Sequence, residues 1–339
     1  MKIRIQYLPL LLLVFTRISA QTEIIDTVIT AKKRTMVNGE MYYNIGNGKT
    51  LVYPKPKAFS FITNLPKDAV NIGAAIGKKE SIKPLAIIAL TTAALVYSDQ
   101  NIIDEFGKFA QNAGISGEEK NINPITFKLG GKEVALIRLP ANINTAFYQL
   151  GQGFPSLAIG AGLFIYGKTH NDYRSLSTAS QLAESFFLMG FGTQLVKRIT
   201  GRQSPSEATI PGGVWHWFPS FKQFQDNTPQ YDAFPSGHVA TLMSSITIFA
   251  ENYPEKKWIK PVGYSLTGLV CLSMMNNKVH WASDYPLAIG MGLLCAKQVV
   301  KRSRKVISNT GNVKKKKGEL DYTLSYINGT VAPGINYRF

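Results

Sequence analysis

Six apolar segments constrain the fold of this chain more than any other feature of its sequence. They lie at residues 84–97, 154–167, 182–196, 239–250, 262–275 and 286–300. Their length and their content of Ala, Leu and Gly predict helices rather than strands. Polar connections separate them, so each helix can pack its apolar face against its neighbours. The sequence therefore predicts an all-α fold with a six-helix core bundle.

Composition divides the 339 residues into four regions. Residues 1–20, MKIRIQYLPLLLLVFTRISA, have the basic start, apolar stretch and small final residues of a secretory signal peptide. Residues 21–80 form an N-terminal arm, with a hairpin predicted between Tyr42 and Tyr53. The helical domain occupies residues 81–302. Residues 303–339 form a basic tail that ends in a small β-hairpin with alternating apolar and polar residues.

The signal peptide predicts export, with cleavage after Ala20. Arg17 lies close to the cleavage position, so an uncleaved anchor is the alternative. Cys271 and Cys295 both lie in apolar helical segments. Buried free thiols are the expected state there, although an oxidising compartment would also permit a disulfide.

Net charge and hydropathy indicate how the exported domain meets a membrane. The chain carries a net charge of +17, and basic residues are concentrated between Lys301 and Lys317. Such a run is typical of a solvated tail or of a segment that contacts an anionic membrane surface. No nucleic-acid-binding signature is present. The apolar segments are shorter than the roughly 18 to 20 residues that a bilayer requires. We therefore expect a periplasmic domain that is soluble or peripherally attached to an envelope membrane.

Three polar clusters flank the helices. The first, LVKRITGRQSPSE, ends the third segment; the second, FPSGHVATL, opens the fourth; and the third, LSMMNNKVHWASDYPLAIG, separates the fifth and sixth. Antiparallel packing of successive helices would bring all three to one end of the bundle. The side chains expected to converge there are Lys197, Arg198, Arg202, His238, Lys278, His280 and Asp284.

The middle cluster is suited to binding an anion. Pro235, Ser236 and Gly237 form a turn that starts a helix, with Ser236 as the capping residue. The first N–H groups of a helix lack intrahelical partners and lie at the positive end of its dipole. Backbone groups of Ser236 and Gly237 are therefore expected to bind negative charge beside His238.

Taken together, the three clusters resemble the type 2 phosphatidic acid phosphatase and vanadium haloperoxidase superfamily over about residues 180–300. Lys197 and Pro205 match the first block of its pattern, Pro-Ser-Gly-His at 235–238 matches the second in full, and the third contains Ser273, His280 and Asp284. Two arginines of the pattern are replaced, by Ser204 and Met274. The resemblance implies the helical bundle of that superfamily.

The resemblance also implies a role for each matched residue. His280 is the nucleophile that forms a phosphohistidine, Asp284 holds its other ring nitrogen, and His238 is the general acid and base. Lys197 and the backbone N–H groups of Ser236 and Gly237 bind the phosphate. Arg202 and Lys278 are the local candidates to replace the two missing arginines. Neither a metal nor another cofactor is expected.

The expected activity is hydrolysis of phosphate monoesters or of lipid phosphates or diphosphates. The partners are then a phosphorylated small molecule or lipid and an anionic membrane surface, and not a nucleic acid. Vanadate-dependent halide oxidation, with vanadate as the cofactor, is a second enzymatic alternative. A third is a non-catalytic anion- or lipid-binding envelope protein, in which Ser204 and Met274 mark lost catalysis.

Overall fold

A computed structural model describes residues 34–308, 319–327 and 330–338 of the chain. The predicted signal peptide at residues 1–20, the lysine run at 314–317 and the turn at Asn328 and Gly329 lie outside the described residues.

The described residues form a mainly helical fold, as the sequence predicts. They contain ten α-helices: α1 (Ser60–Thr63), α2 (Leu65–Ile76), α3 (Lys79–Asn112), α4 (Ile143–Leu150), α5 (Phe154–Thr169), α6 (Tyr173–Thr200), α7 (Phe221–Asp226), α8 (Gly237–Asn252), α9 (Ile259–Asn276) and α10 (Tyr285–Ser303). Eight strands accompany them: β1 (Arg34–Val37), β2 (Glu40–Gly46), β3 (Lys49–Pro54), β4 (Asn121–Leu129), β5 (Lys132–Pro140), β6 (Lys305–Ser308), β7 (Glu319–Ile327) and β8 (Thr330–Arg338). Each of the six apolar segments lies in one of the long helices α3, α5, α6, α8, α9 and α10.

Helix α6 is longer than its apolar segment predicts. It starts where the Asp172 side chain accepts a hydrogen bond from the backbone N–H of Ser175, at 2.8 Å. It ends at Gly201, whose φ of 49° is in the left-handed region that glycine adopts without strain. Its first turns bury Thr178 and Gln181 together with apolar side chains such as Leu176. A hydrophobic pattern alone therefore places the start of this helix too late.

Helix α8 lies at the centre of the bundle and packs against α6, α9 and α10. Val239, Ala240 and Ile248 on this helix are fully buried. Helix α10 approaches α8 closely at Gly292, where a Cβ atom would lie only 2.5 Å from the carbonyl oxygen of Ala240. Small residues thus set the spacing of the central helices.

The two ends of the helical bundle contain different parts of the chain. At the site end, the backbone N–H of Ser236 before α8 donates to the carbonyl of Asp284 before α10, at 3.1 Å. The N–H of Ala233 donates to the carbonyl of Arg202 just after α6, at 3.0 Å. The loop after α9 joins this end through Lys278, whose carbonyl accepts from Ser206. The opposite end, which carries a sheet, is called the sheet end.

The sheet end contains the N-terminal arm. Four antiparallel strands lie in the order β1-β2-β3-β6, and β2 with β3 forms the predicted hairpin. Leu51 and Tyr53 are buried and pack against Tyr173 and Leu176 at the start of α6. We expected an arm outside the core, whereas the sheet shares a buried cluster with the helices. Strand β6 is not predicted, because the basic composition of its surroundings conceals it.

Two further hairpins lie outside the bundle. Strands β4 and β5 pair with each other between α3 and α4. Strands β7 and β8 form the predicted C-terminal hairpin, with Glu319 opposite Arg338.

Several helices present large apolar side chains on their outer faces. Examples at least half exposed are Leu90 on α3, Phe164 on α5, and Phe191 and Leu195 on α6. Among the described helices, α3 alone is long and apolar enough to cross a membrane, with a mean hydropathy of 1.5 over a window that is not buried. The exposed apolar surface of these helices is therefore larger than the lengths of the six apolar segments indicate.

Candidate active site at the ends of four helices

The two motif histidines face each other at the site end. The imidazole of His238, in the first turn of α8, lies with its ring centroid 6.2 Å from that of His280. His280 follows α9, and the side chain is buried. Lys197, in the last turn of α6, is also buried and lowers the pKa of His238 through its charge. The helix ends therefore bring the predicted nucleophile, acid/base group and lysine together.

One ring nitrogen of His280 is fixed by a backbone carbonyl. Its Nδ1 lies 2.7 Å from the carbonyl oxygen of Ala233 and 3.4 Å from Oδ2 of Asp284. Since a carbonyl oxygen only accepts, Nδ1 carries the proton in this hydrogen bond. In the neutral imidazole, the lone pair is then on Nε2. The contact of Nδ1 with Asp284 is longer than its contact with Ala233. Ala233 therefore shares the orienting role that is predicted for Asp284 alone.

Asp284 is fully buried among three donors. Its Oδ2 accepts from the backbone N–H of Trp281 at 2.7 Å, and its Oδ1 accepts from Nη1 of Arg202 at 2.6 Å. These hydrogen bonds fix the carboxylate at the start of α10, where it faces His280.

Arg202 is not available to bind phosphate, contrary to the prediction. Its guanidinium is fully buried and pairs with both Asp284 and Asp99, the latter at 2.7 Å. Nη1 also donates to Ser283, and Nη2 to the carbonyl of Gly212. Two carboxylates compete successfully for its charge, so Arg202 holds Asp284 in place instead of facing the pocket.

Asp99 is a site residue that the motif comparison misses. It comes from α3, and its Oδ1 also accepts from the backbone N–H of Ser283, at 3.0 Å. Asp99 is 1 % exposed. A buried carboxylate requires a partner. The sequence signal for this site residue is that the aspartate lies two residues after the apolar segment ending at Tyr97.

Lys278 does not reach the phosphate position either. The prediction required α9 to continue past Met274, so that Lys278 would share its helical face. Helix α9 instead ends at Asn276, and Lys278 has a φ of 56° in the following turn. Its side chain is exposed to solvent. The break in the helix therefore removes the second candidate replacement for a missing arginine.

Neutral buried side chains occupy the two arginine positions of the pattern. Met274 is fully buried, and its sulfur lies 3.7 Å from Oγ of Ser236 in the anion-binding turn. Ser204 is buried, and its backbone N–H donates to the carbonyl of Pro229. Met274 thus lies beside the turn without contributing a charge.

The turn itself offers fewer donors than predicted. The N–H of Ser236 is already used by the carbonyl of Asp284, and its Oγ accepts from the N–H of Val239 at 3.4 Å. Gly237 and His238 are the first two residues of α8, where backbone N–H groups have no intrahelical acceptor. The N–H groups of Gly237 and His238, rather than that of Ser236, therefore lie at the positive end of α8 without an intrahelical acceptor.

His238 is held neutral by its surroundings. Burial lowers its pKa to about 3, and the charges of His280 and Lys197 act in the same direction. Its ring lies 4.9 Å from that of Tyr148 on α4, a second neighbour that the motif comparison does not reveal. Burial raises the pKa of Tyr148 to about 12, which keeps its hydroxyl protonated.

Aromatic residues of the long loop between α6 and α8 cover the Arg202 side of the site. Trp215 lies 5.2 Å from Phe234, between ring centroids, and its ring faces the Arg202 guanidinium. His216 contacts Tyr231. These contacts give the loop a packing role.

Fold and site together define a helical bundle in which two histidines, a lysine and a helix N-terminus lie together at one end. Residues 178–307 match the family model of the PAP2 superfamily. This part of the chain is therefore similar to that superfamily. The match begins at the start of α6 and includes all three motif clusters.

Individual relatives are more distant. The lipid A 1-phosphatase of Porphyromonas gingivalis is 27 % identical over 140 residues, which cover 40 % of this chain and 30 % of that protein. The match therefore spans less than a third of the curated relative. A solved structure, the transmembrane PAP2 type phosphatidylglycerolphosphate phosphatase from Bacillus subtilis, has a TM-score of 0.35 and 18 % identity, covering 65 % of this chain and 95 % of that one.

Proposed function

We propose that the chain is a phosphatase that hydrolyses phosphate monoesters or lipid phosphates in the cell envelope, through a phosphohistidine and without a cofactor. The arrangement of His280 carries this proposal. Its Nδ1 donates to Ala233, which leaves the Nε2 lone pair for attack, and His238 lies across from it at a helix N-terminus.

In the first step, Nε2 of His280 attacks phosphorus while the bond to the leaving oxygen breaks. His238 transfers a proton to that oxygen, so the product leaves as an alcohol. The other proton stays on Nδ1, where it is hydrogen-bonded to the carbonyl of Ala233 and close to Asp284. Both groups stabilise the positive charge that develops on the ring.

His238 has to gain a proton before it can act as an acid. Burial holds its pKa at about 3, and the charges of His280 and Lys197 further disfavour a positive charge. A bound phosphate supplies negative charge at hydrogen-bonding distance and raises the pKa of His238. Binding of the anion and protonation of His238 are therefore coupled.

In the second step, neutral His238 takes a proton from water as the water oxygen attacks phosphorus. The P–N bond to His280 breaks, and inorganic phosphate leaves. Lys197 and the first N–H groups of α8 stabilise the negative charge in both steps. Because Ser204 and Met274 supply no charge, we expect slower turnover than two arginines would allow.

Two observations support a lipid substrate. The helices present apolar side chains on their outer faces, including Phe191 and Leu195 on the helix that carries Lys197. The curated relative named above acts, by its name, on lipid A. An exported protein that contacts an anionic envelope membrane through these faces would meet such phosphates at the bilayer surface.

The test is turnover of an aryl phosphate and of a lipid phosphate by the mature protein. His280→Ala should abolish both activities, and vanadate should inhibit the natural protein. An acid-labile phosphorylated protein should form with the natural chain and not with the variant. His170→Ala, at the sheet end, is the matched control and should keep full activity. Equal turnover by His280→Ala would refute the phosphohistidine.

A non-catalytic anion-binding protein is the second candidate, and the burial of Met274 and Ser204 at the arginine positions favours it. In that case the natural protein binds inorganic phosphate, as measured by calorimetry, but shows no turnover on any phosphate ester. Vanadate-dependent bromination needs the same missing charges; peroxide and bromide with added vanadate would reveal it.

A further inference from the structure

A second cavity lies near the sheet end, remote from the paired histidines. It is a groove of about 550 Å³ between α5 and α6, closed on one side by the segment after β3. Its α5 wall contains Leu157, Gly160, Ala161, Phe164 and Ile165, which recur at helical spacing on one face. Small side chains on both helices leave the groove open. Its α5 wall is therefore apolar along about 12 Å of helix.

Three lysines line this groove. Lys55 and Lys57 follow β3, and Lys168 lies in the last turn of α5; all three side chains are exposed. None of the residues that line the groove is acidic. An apolar groove lined by three exposed lysines and no acidic residue is complementary to an amphiphile that has an anionic head.

The segment between β3 and α1 is held in an unusual conformation. Phe59, which lines the groove, has a φ of 59°, a left-handed conformation that is unfavourable for a bulky side chain. Its ring is 67 % exposed. Nearby, Phe61 stacks on Phe187 of α6 with 6.4 Å between centroids, which fixes the segment against the bundle. Phe59 therefore lies at the groove in a strained conformation, although burial of its ring contributes little.

We propose that this groove binds one anionic phospholipid, with an acyl chain between α5 and α6 and the phosphate among Lys55, Lys57 and Lys168. The site is separate from the catalytic one, because 14 residues of α6, or about 21 Å of helix, separate Ala183 in the groove from Lys197. Binding there does not depend on the proposed phosphatase activity.

Charge also argues against the chain's own apolar N-terminus as the occupant. Residues 1–20 contain Lys2, Arg4 and Arg17 and no acidic residue. Placing this segment in the groove would bring basic side chains toward three lysines. A lipid phosphate supplies the opposite charge.

The experiment uses the full chain in detergent with a phosphatidylglycerol that carries a photoreactive group in its acyl chain. After irradiation, labelled peptides are mapped by mass spectrometry. We expect labels on α5 and α6 at the groove. Phosphatidylcholine with the same reactive chain should label this region about ten-fold less.

Two pairs of variants make the test specific. Ala161→Trp fills the groove from an exposed position, while Ala158→Trp places the same side chain on α5 outside the groove. Only Ala161→Trp should lose groove labelling. Glu in place of Lys57 should remove the preference for phosphatidylglycerol, and Glu in place of the exposed Lys260 should not.

Labelling that is equal for both lipids, or that persists in Ala161→Trp, would overturn the proposal, as would labels spread over the exposed faces of α3 and α9. His280→Ala should be labelled as strongly as the natural chain. Failure of the phosphatase and failure of the lipid site are therefore observed separately.

Discussion

Asp99 and Arg202 form a fully buried ion pair, with 2.7 Å between Oδ2 and Nη2, although 103 residues separate them in the chain. Arg202 also pairs with Asp284, so one positive charge lies between two carboxylates. Without Asp99, the arginine would neutralise Asp284 alone. The additional carboxylate leaves a formal net negative charge beside His280, and in the proposed mechanism this charge stabilises the positive charge that forms on the ring when His280 attacks phosphorus.

Asp99→Asn should therefore reduce kcat about ten-fold or more while changing KM little, because Asp99 is buried and paired with Arg202. Removing one partner of a buried pair also costs about 3–5 kcal/mol of stability. Steady-state kinetics on an aryl phosphate, with a thermal unfolding curve of the same sample, measure both effects.

Asp104→Asn is the matched control, since Asp104 is exposed on the same helix and bonds Gln100. It should leave kcat and stability unchanged. A fully folded Asp99→Asn variant with natural kcat would show that Asp99 has no positioning role.

The two lysines near the motifs should behave differently. Lys197→Ala removes a buried charge next to His238 and should lower kcat/KM about 100-fold. Lys278→Ala alters an exposed side chain and should stay within about two-fold of the natural protein. Steady-state kinetics of the two variants, measured in parallel, provide the check. A similar loss of kcat/KM in both would show that Lys278 also acts in the site.

Supplying a charge at the methionine position should change the rate. Met274 lies beside Ser236 in the anion-binding turn, so Met274→Arg, alone or with Ser204→Arg, should raise kcat/KM about ten-fold at some cost in stability. Met274→Leu keeps the position apolar and should not accelerate turnover. Activity that appears only in the double arginine variant would identify the natural protein as a binder.

Stability should depend on His238 at acidic pH. Its pKa is about 3 in the folded chain, below the unfolded value of about 6.5. The unfolded chain therefore binds more protons between these values, and stability falls as the pH decreases from about 6.5 toward 3. We expect His238→Gln to lose less stability than the natural protein between pH 7 and pH 4.

Thermal unfolding in detergent at several pH values measures this difference. His170→Gln, in which an exposed histidine is changed, should retain the natural pH dependence. Parallel curves for the natural chain and His238→Gln would mean that His238 is not held neutral by the fold.

Local patterns predict the helices and the meeting of the three motifs, because apolar periodicity and the Ser236 cap act over a few residues. The role of Arg202 could not be predicted in this way. Its partner Asp99 lies on a distant helix, and spacing within one motif does not reveal which carboxylate is nearer. Lys278 was misplaced because helix α9 ends at Asn276, two residues before it.

Strand β6 pairs with β3 directly after the last core helix, so residues before and after the helical domain lie in one sheet. The region matched by the family model, 178–307, contains β6 without β3 and omits α3 with Asp99. A fragment cut to the family match would leave the edge of β6 unpaired and Arg202 with one carboxylate. The smallest unit to express or transplant therefore starts at the sheet, near Arg34, far ahead of the first motif.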